Sequence, residues 1–123
     1  MPIISATDAP HYHLQGVTIV GLAARSRGAG EVTTYRVLLD PGSATPPHRH
    51  DHEEVFTVVG GSVTTVLDGE HHVTAIGDTV IVPSGTEHYV FAGGGAADLI
   101  AAIPTGTLFI TPQGETRVAD WAM

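Results

Sequence analysis

At 123 residues the chain has room for one compact domain, and 42% hydrophobic with 15% charged residues permit a buried core rather than disorder. Thirteen acidic residues against five arginines and no lysine give a net charge of −8. That balance excludes a phosphate-neutralising nucleic-acid surface, an anionic membrane as partner, and Schiff-base chemistry. The lack of cysteine likewise excludes disulfides, thiolate catalysis and zinc–thiolate sites.

In chain order, the opening MPIISATDAP has no basic stretch followed by an apolar one, so it does not read as a secretory signal. No apolar run approaches the roughly 20 residues of a membrane span, and a cytoplasmic protein is expected. Residues 1–15 read as an irregular arm. His11 and His13 share one of its faces and are expected in solvent, with a place in a dimer partner's pocket as the alternative. Ten β-type segments rich in Val, Ile, Thr, Tyr and Phe follow, at 17–24, 31–39, 46–50, 54–60, 62–67, 71–76, 79–82, 87–91, 97–103 and 107–110. Turn formers separate them: Asp40-Pro41-Gly42, Gly60-Gly61, Asp68-Gly69, Gly77-Asp78, Pro83-Ser84-Gly85 and Gly93-Gly94-Gly95 among others. Asp68-Gly69 between two alternating runs signals a tight hairpin. No segment carries helical periodicity, so the chain is read as all-β, a single domain over 1–123 built as a jelly-roll barrel. Such a barrel encloses a pocket lined by alternate, inward-facing residues.

Eight histidines are too many for this length to ignore, and three crowd into PPHRHDHEEVFTVV. Strand alternation decides which side chains converge. His48 and His50 share a face. Glu54 shares one with Phe56 and Val58, which places it inside, while Glu53 points to solvent with Val55 and Thr57. A lone inward carboxylate is costly unless it is protonated, paired or bound to a cation. Two neighbouring neutral imidazoles supply the reason to place it there, and His48, His50 and Glu54 are read as metal ligands against the bland alternative of a polar loop. His88 begins a Tyr-Val-Phe strand after Pro83-Ser84-Gly85, a turn that brings this strand back over the first.

These residues carry a resemblance. Gly42-x5-His48-x-His50-x3-Glu54-x6-Gly61 is similar to the first motif of the cupin superfamily, and Gly77-x5-Pro83-x-Gly85-x2-His88 to the second. Together they span 42–92, and the chain resembles a small monocupin of the double-stranded β-helix type. One position differs, since Ala92 stands where the second motif often has Asn. The resemblance implies that His48, His50, Glu54 and His88 hold one divalent transition metal ion. Three imidazoles and a carboxylate suit Fe, Mn, Ni, Co, Cu or Zn.

It also implies a small-molecule substrate, and a pocket walled by Val, Ile and Phe suits an apolar or aromatic one. Cupins include dioxygenases, isomerases, decarboxylases, lyases, polyketide cyclases and non-catalytic binding modules, so the fold alone does not fix the reaction. The leading expectation is a quercetinase-like dioxygenase with Glu54 as ligand and proton carrier. The alternatives are a non-redox enzyme using the ion as a Lewis acid, and a module that binds without turnover. A homodimer is expected, because small jelly rolls leave edges and apolar outer faces to cover and Tyr89 and Phe91 face away from His88. Of the remaining residues, His52 is read as a loop residue with a spare ligand or proton donor as the alternative, and His71 and His72 as surface or rim. Tyr35 is read as a core residue whose hydroxyl reaches a partner, with substrate contact as the alternative. Arg36 is expected to face outward, and Trp121 to cover the barrel or a subunit boundary.

Overall fold

The computed structural model describes residues 2–123, so Met1, the first residue of the expected arm, lies outside the described residues. Twelve strands run in order: β1 (His11–Leu14), β2 (Val17–Gly21), β3 (Val32–Leu39), β4 (Arg49–His50), β5 (Glu54–Gly60), β6 (Ser62–Leu67), β7 (Glu70–Ala75), β8 (Thr79–Val82), β9 (His88–Ala92), β10 (Ala97–Pro104), β11 (Phe109–Ile110) and β12 (Thr116–Arg117). Two short 3-10 turns, Arg25–Arg27 and Asp120–Ala122, interrupt them. The all-β jelly-roll expectation therefore holds. Among the described residues, no helix is long and apolar enough to cross a membrane.

Two local readings differ. The segment expected to stay irregular through residue 15 ends in β1, which pairs with β2 from His11↔Val20 to Leu14↔Val17. Its own sequence, HYHL, has little apolar drive, so the order comes from ladder hydrogen bonds and from Tyr12 packing on the core. The strand expected to reach residue 24 stops at Gly21, where the Arg25–Arg27 turn begins to reverse the chain.

A six-stranded sheet, ordered β1-β2-β3-β10-β5-β8, faces a three-stranded sheet, β7-β6-β9, while β12-β11-β4 closes one end. Period-2 alternation builds the core between them. On β3, Thr33, Tyr35, Val37 and Leu39 are buried, and on β5, Glu54, Phe56 and Val58 are buried. Arg36 points outward from β3 and pairs with Asp98 of β10, with Nε 2.9 Å from Oδ1. In the middle of the large sheet, Ala101 lies opposite Tyr35 on one side and opposite Phe56 on the other. A methyl group between two rings leaves space over β10, and that space is the cavity described below.

Asp68 and Gly69 both have positive φ, 47° and 84°, as a type I′ hairpin between β6 and β7 demands. His71 and His72 beyond it are exposed, because β7 is an edge strand and only Thr74 reaches the interior.

Gly61 carries the chain from the large sheet to the small one. It has φ +65°, and a Cβ there would overlap the Ala96 carbonyl oxygen, whereas one at Gly94 would meet open space. Backbone strain of this kind costs about 1–3 kcal/mol. Gly61→Ala is expected to lower the unfolding free energy by at least that much, seen as a lower urea midpoint, and Gly94→Ala to leave it within about 0.5 kcal/mol. Equal midpoints in urea titrations of the two variants would contradict this account of the crossover.

Candidate metal centre

The backbone assembles the histidines before their side chains meet. His48 and His88 form a two-residue bridge between the approach to β4 and the start of β9, with N–H to carbonyl distances of 3.1 and 2.8 Å in the two directions. His50 pairs with Phe109 of β11. The Gly85 N–H donates to the His50 carbonyl at 2.8 Å, so the turn expected to return the second motif over the first is tied to it directly. Nitrogen atoms of His48, His50 and His88 consequently lie within 4.8 Å of one another.

Hydrogen bonds to carbonyls set the tautomers. Nδ1 of His48 is 2.9 Å from the Pro46 carbonyl, and Nδ1 of His88 is 2.9 Å from the Thr86 carbonyl. A carbonyl only accepts, so each Nδ1 carries the proton and each neutral ring presents a bare Nε2. His50 has no hydrogen-bond partner on either ring nitrogen, although it is only 2% exposed.

Glu54 completes the cluster from the first residue of β5 and is 5% exposed. Its Oε2 accepts the Tyr35 hydroxyl and lies 3.8 Å from His50 Nδ1. Its Oε1 lies 3.4 Å from His88 Nε2, which has no hydrogen-bond partner. That spacing is longer than an ordinary hydrogen bond, and a neutral ring protonated on Nδ1 has no proton to place in it. A bare imidazole nitrogen facing a carboxylate oxygen in a buried place is two lone pairs in opposition, relieved by a cation between them or, in the metal-free fold, by a proton on His88. The residues thus fit a divalent metal ion: three imidazoles and one carboxylate, with buried nitrogens that no protein donor or acceptor satisfies.

The titration behaviour follows from the same contacts. Burial pushes His50 down to about 4, and the two other imidazoles push the same way against the opposing pull of Glu54. Burial also lowers His48, helped by His88. For Glu54, burial alone would raise the pKa, but His88, His50 and the Tyr35 hydroxyl outweigh it and hold the carboxyl at about 2. Burial and the neighbouring carboxylate raise Tyr35 well above the usual phenol range, so it stays a donor. His88 is lowered by burial but raised on balance by Glu54, the Thr86 carbonyl and Asp68.

A cavity of about 390 Å³ opens from this cluster. His48, Glu54 and His88 line it, together with Tyr35, Phe56 and Leu99. Phe109 stacks on His48 with ring centroids 5.3 Å apart and planes at 8°, and it contacts His50 at 4.3 Å. Trp121 packs edge-on to Phe109 at 5.7 Å and tilted to Tyr35 at 6.2 Å, so it covers the barrel as expected. Volume and lining match a site for a small, largely apolar molecule.

The structure therefore brings together all four residues singled out by the motifs, and Glu53 is exposed as the strand phase requires. His52 stays outside the cluster. It is exposed and 2.8 Å from Asp51 Oδ1, the same oxygen that receives the Leu108 N–H at 2.8 Å and so anchors the approach to β11. His11 and His13 are exposed on β1. Ala92 is buried core on the inner face of β9. Phe109 has no counterpart in the sequence reading. It sits in a two-residue strand, and its contact with the histidines depends on pairing across 59 positions, Phe109↔His50. Tyr35 was legible as an inward residue but not as the partner of Glu54.

A family model described as a cupin domain matches residues 35–103. Gentisate 1,2 dioxygenase 1 of Aquipseudomonas alcaligenes is 36% identical over 69 residues, covering 55% of this chain and 20% of that protein. Auxin-binding protein 5 of Zea mays is 37% identical over 67 residues, covering 52% and 43%. The chain thus spans less than half the length of these relatives. Among solved structures, the polyketide cyclase RemF from Streptomyces resistomycificus has a TM-score of 0.79 at 23% identity, over 95% of this chain and 84% of that one. Salicylate 1,2-dioxygenase from Pseudoaminobacter salicylatoxidans, in its adducts with gentisate, has a TM-score of 0.67 at 22% identity, over 76% and 26%.

The shifted pKa values fix how the metal-free fold responds to acid. An unfolded imidazole titrates near 6.5, whereas His50 in the fold does so at about 4, so between those values the unfolded state binds a proton that the native state refuses. Stability therefore falls as pH drops from 6.5 to 4. Glu54, held at about 2, extends the loss from pH 4.5 downward. The raised His88 acts in the opposite sense, but at and above pH 6.5, where the native state protonates first. Chelator-treated protein is expected to lose about 1–2 kcal/mol between pH 7 and pH 5 in urea titrations. An unchanged midpoint would contradict the burial of a neutral His50.

Proposed function

The chain belongs to the cupin domain family, and on that premise we propose that it is a metal-dependent enzyme acting on a small oxygen-bearing aromatic molecule, with quercetinase-like dioxygenation as its reaction. The observation that carries the reading is the convergence of unsatisfied, buried imidazole nitrogens and an ionised carboxylate at one end of an apolar cavity. His48, His50, Glu54 and His88 would hold one ion. When bound, a first-row divalent ion supplies Lewis acidity, and a redox-active one also supplies electron exchange with dioxygen.

The chain's own residues divide the remaining work. The Pro46 and Thr86 carbonyls hold the His48 and His88 rings with Nε2 directed at the centre. His88 and His50 keep the Glu54 carboxylate ionised, and the Tyr35 hydroxyl adds to this by occupying Oε2, with Oε1 left toward the centre. Glu54 is then the base within reach of a phenolic or enolic hydroxyl entering the cavity. Phe109 and Trp121 shield the cluster from water and offer ring faces to a flat substrate. The relative named as a gentisate dioxygenase supports oxygen chemistry. The reading includes a homodimer, supported by outward-facing Val59, Ile81 and Ile100 on the large sheet.

A second reading, ring closure or isomerisation without redox change, is favoured by the polyketide cyclase's likeness over nearly the whole chain. Oxygen-electrode measurements with phenols and 1,3-dicarbonyls separate the two. Dioxygenation requires oxygen uptake in step with substrate loss. Conversion without uptake would establish the second reading, and binding without conversion would leave neither.

Two substitutions test the site itself. Glu54→Gln keeps the size but removes charge and base, and should weaken metal retention by about tenfold or more. Glu53→Gln alters a solvated carboxylate and should change metal affinity and stability by no more than about 0.5 kcal/mol. Metal analysis of untagged protein is expected to give one ion per chain in the wild type. Equal damage from both substitutions would contradict the strand register on which the site rests.

A further inference from the structure

The border of the cavity carries one positive charge for which the metal centre has no use. Arg117 of β12 lies opposite Phe109 of β11, and Phe109 lies opposite His50 of β4. Directly paired residues project from the same face of a sheet, so Arg117, Phe109 and His50 form one row on one face of this small sheet. Two strand spacings separate the ends of the row, about 10 Å between backbones.

Arg117 lines the cavity, and none of the other four arginines does. Arg36 pairs with Asp98, and Arg27 donates to the carbonyls of Leu22 and Trp121. Arg117 is exposed at the cavity and, like Arg25 and Arg49 away from it, has no ion pair and no side-chain hydrogen bond among the described residues. The hairpin that carries it is closed by backbone bonds, with the Thr111 N–H 2.9 Å from the Glu115 carbonyl and the Gly114 N–H 2.8 Å from the Thr111 carbonyl. Another donor of a cavity-lining residue has no partner. The Trp121 indole nitrogen is buried and has no hydrogen-bond partner. The cavity is thus bordered by the histidine cluster, by the aromatic rings of Tyr35, Phe109 and Trp121, and by one exposed guanidinium with no protein partner.

We propose that Arg117 binds an anionic group of the substrate, which is therefore a flat aromatic carboxylate that presents an oxygen to the histidine cluster and its carboxylate to β12. The substrate class rests on the reading of the cavity as the substrate site, and the anion site rests on Arg117 alone. Guanidinium and carboxylate match as a planar, bidentate, charge-assisted pair. Glu115 also borders the cavity, two residues before Arg117, and its charge opposes the anion. It therefore sets a threshold that only a well-aligned carboxylate passes.

Calorimetric titration of metal-quantified protein with meta-hydroxybenzoate and with meta-hydroxybenzamide tests this, because the two probes share shape and differ in charge. The carboxylate is expected to bind at least about tenfold tighter than the amide. Arg117→Ala should bring that ratio close to one while leaving amide affinity and metal content unchanged. Arg117→Lys should keep part of the preference, as a point charge without the planar fork, and Glu115→Gln should widen it. Equal binding of the two probes by the wild type, a preference that survives Arg117→Ala, or no binding of either probe would overturn the proposal. If the protein retains no metal while the charge preference follows Arg117, the metal reading fails and the anion site stands.

Discussion

A carboxylate sealed inside a β-barrel is the constraint around which the rest of this molecule is arranged. Glu54 stands on the inward face of β5 between core residues, where an isolated negative charge would be expensive. Tyr35 answers one oxygen with a hydrogen bond, and the imidazoles of His50 and His88 crowd the carboxylate, supplying no donor while they are neutral. Short of a proton on His88, the protein alone leaves this group of lone pairs unbalanced. A divalent cation balances it, so the local electrostatics and the proposed chemistry are the same statement.

The architecture serves that cluster in three ways. Backbone pairing of His48 with His88 fixes two imidazoles before any side-chain contact is needed. Ala101, small between Tyr35 and Phe56, leaves the barrel hollow beside the cluster rather than filled. The closing β4–β11–β12 sheet lays Phe109 across two of the imidazoles and sets Arg117 beyond it. The barrel is thus packed on the flank away from the site and open where an apolar molecule can lie against the histidines.

Much of this was legible in the residues. The period-2 pattern separated Glu54 from Glu53 and placed Tyr35 inside and Arg36 outside, because alternation on a strand is a strict geometric rule. Two multi-position motifs gave the family and gathered His48, His50, Glu54 and His88. Features made by long-range pairing were hidden. β1 has no apolar pattern of its own and is ordered by its neighbour. Phe109 and Arg117 occupy two-residue strands too short to show any alternation, and their positions follow only from register with β4. Tyr35 and Glu54 are 19 residues apart on strands separated by β10, so a diagonal over β10 on one face of the large sheet joins them and no sequence spacing marks it.

The most direct test of the central claim is X-ray absorption fine structure at the metal edge of protein reconstituted with one equivalent of Co(II). Three imidazoles and one carboxylate give strong multiple-scattering features from several rings together with a short oxygen shell, and the account predicts three rings per ion in the wild type. A spectrum with oxygen scatterers and no more than one ring would mean that the ion lies elsewhere, and the buried cluster of His48, His50, Glu54 and His88 would not be the metal centre.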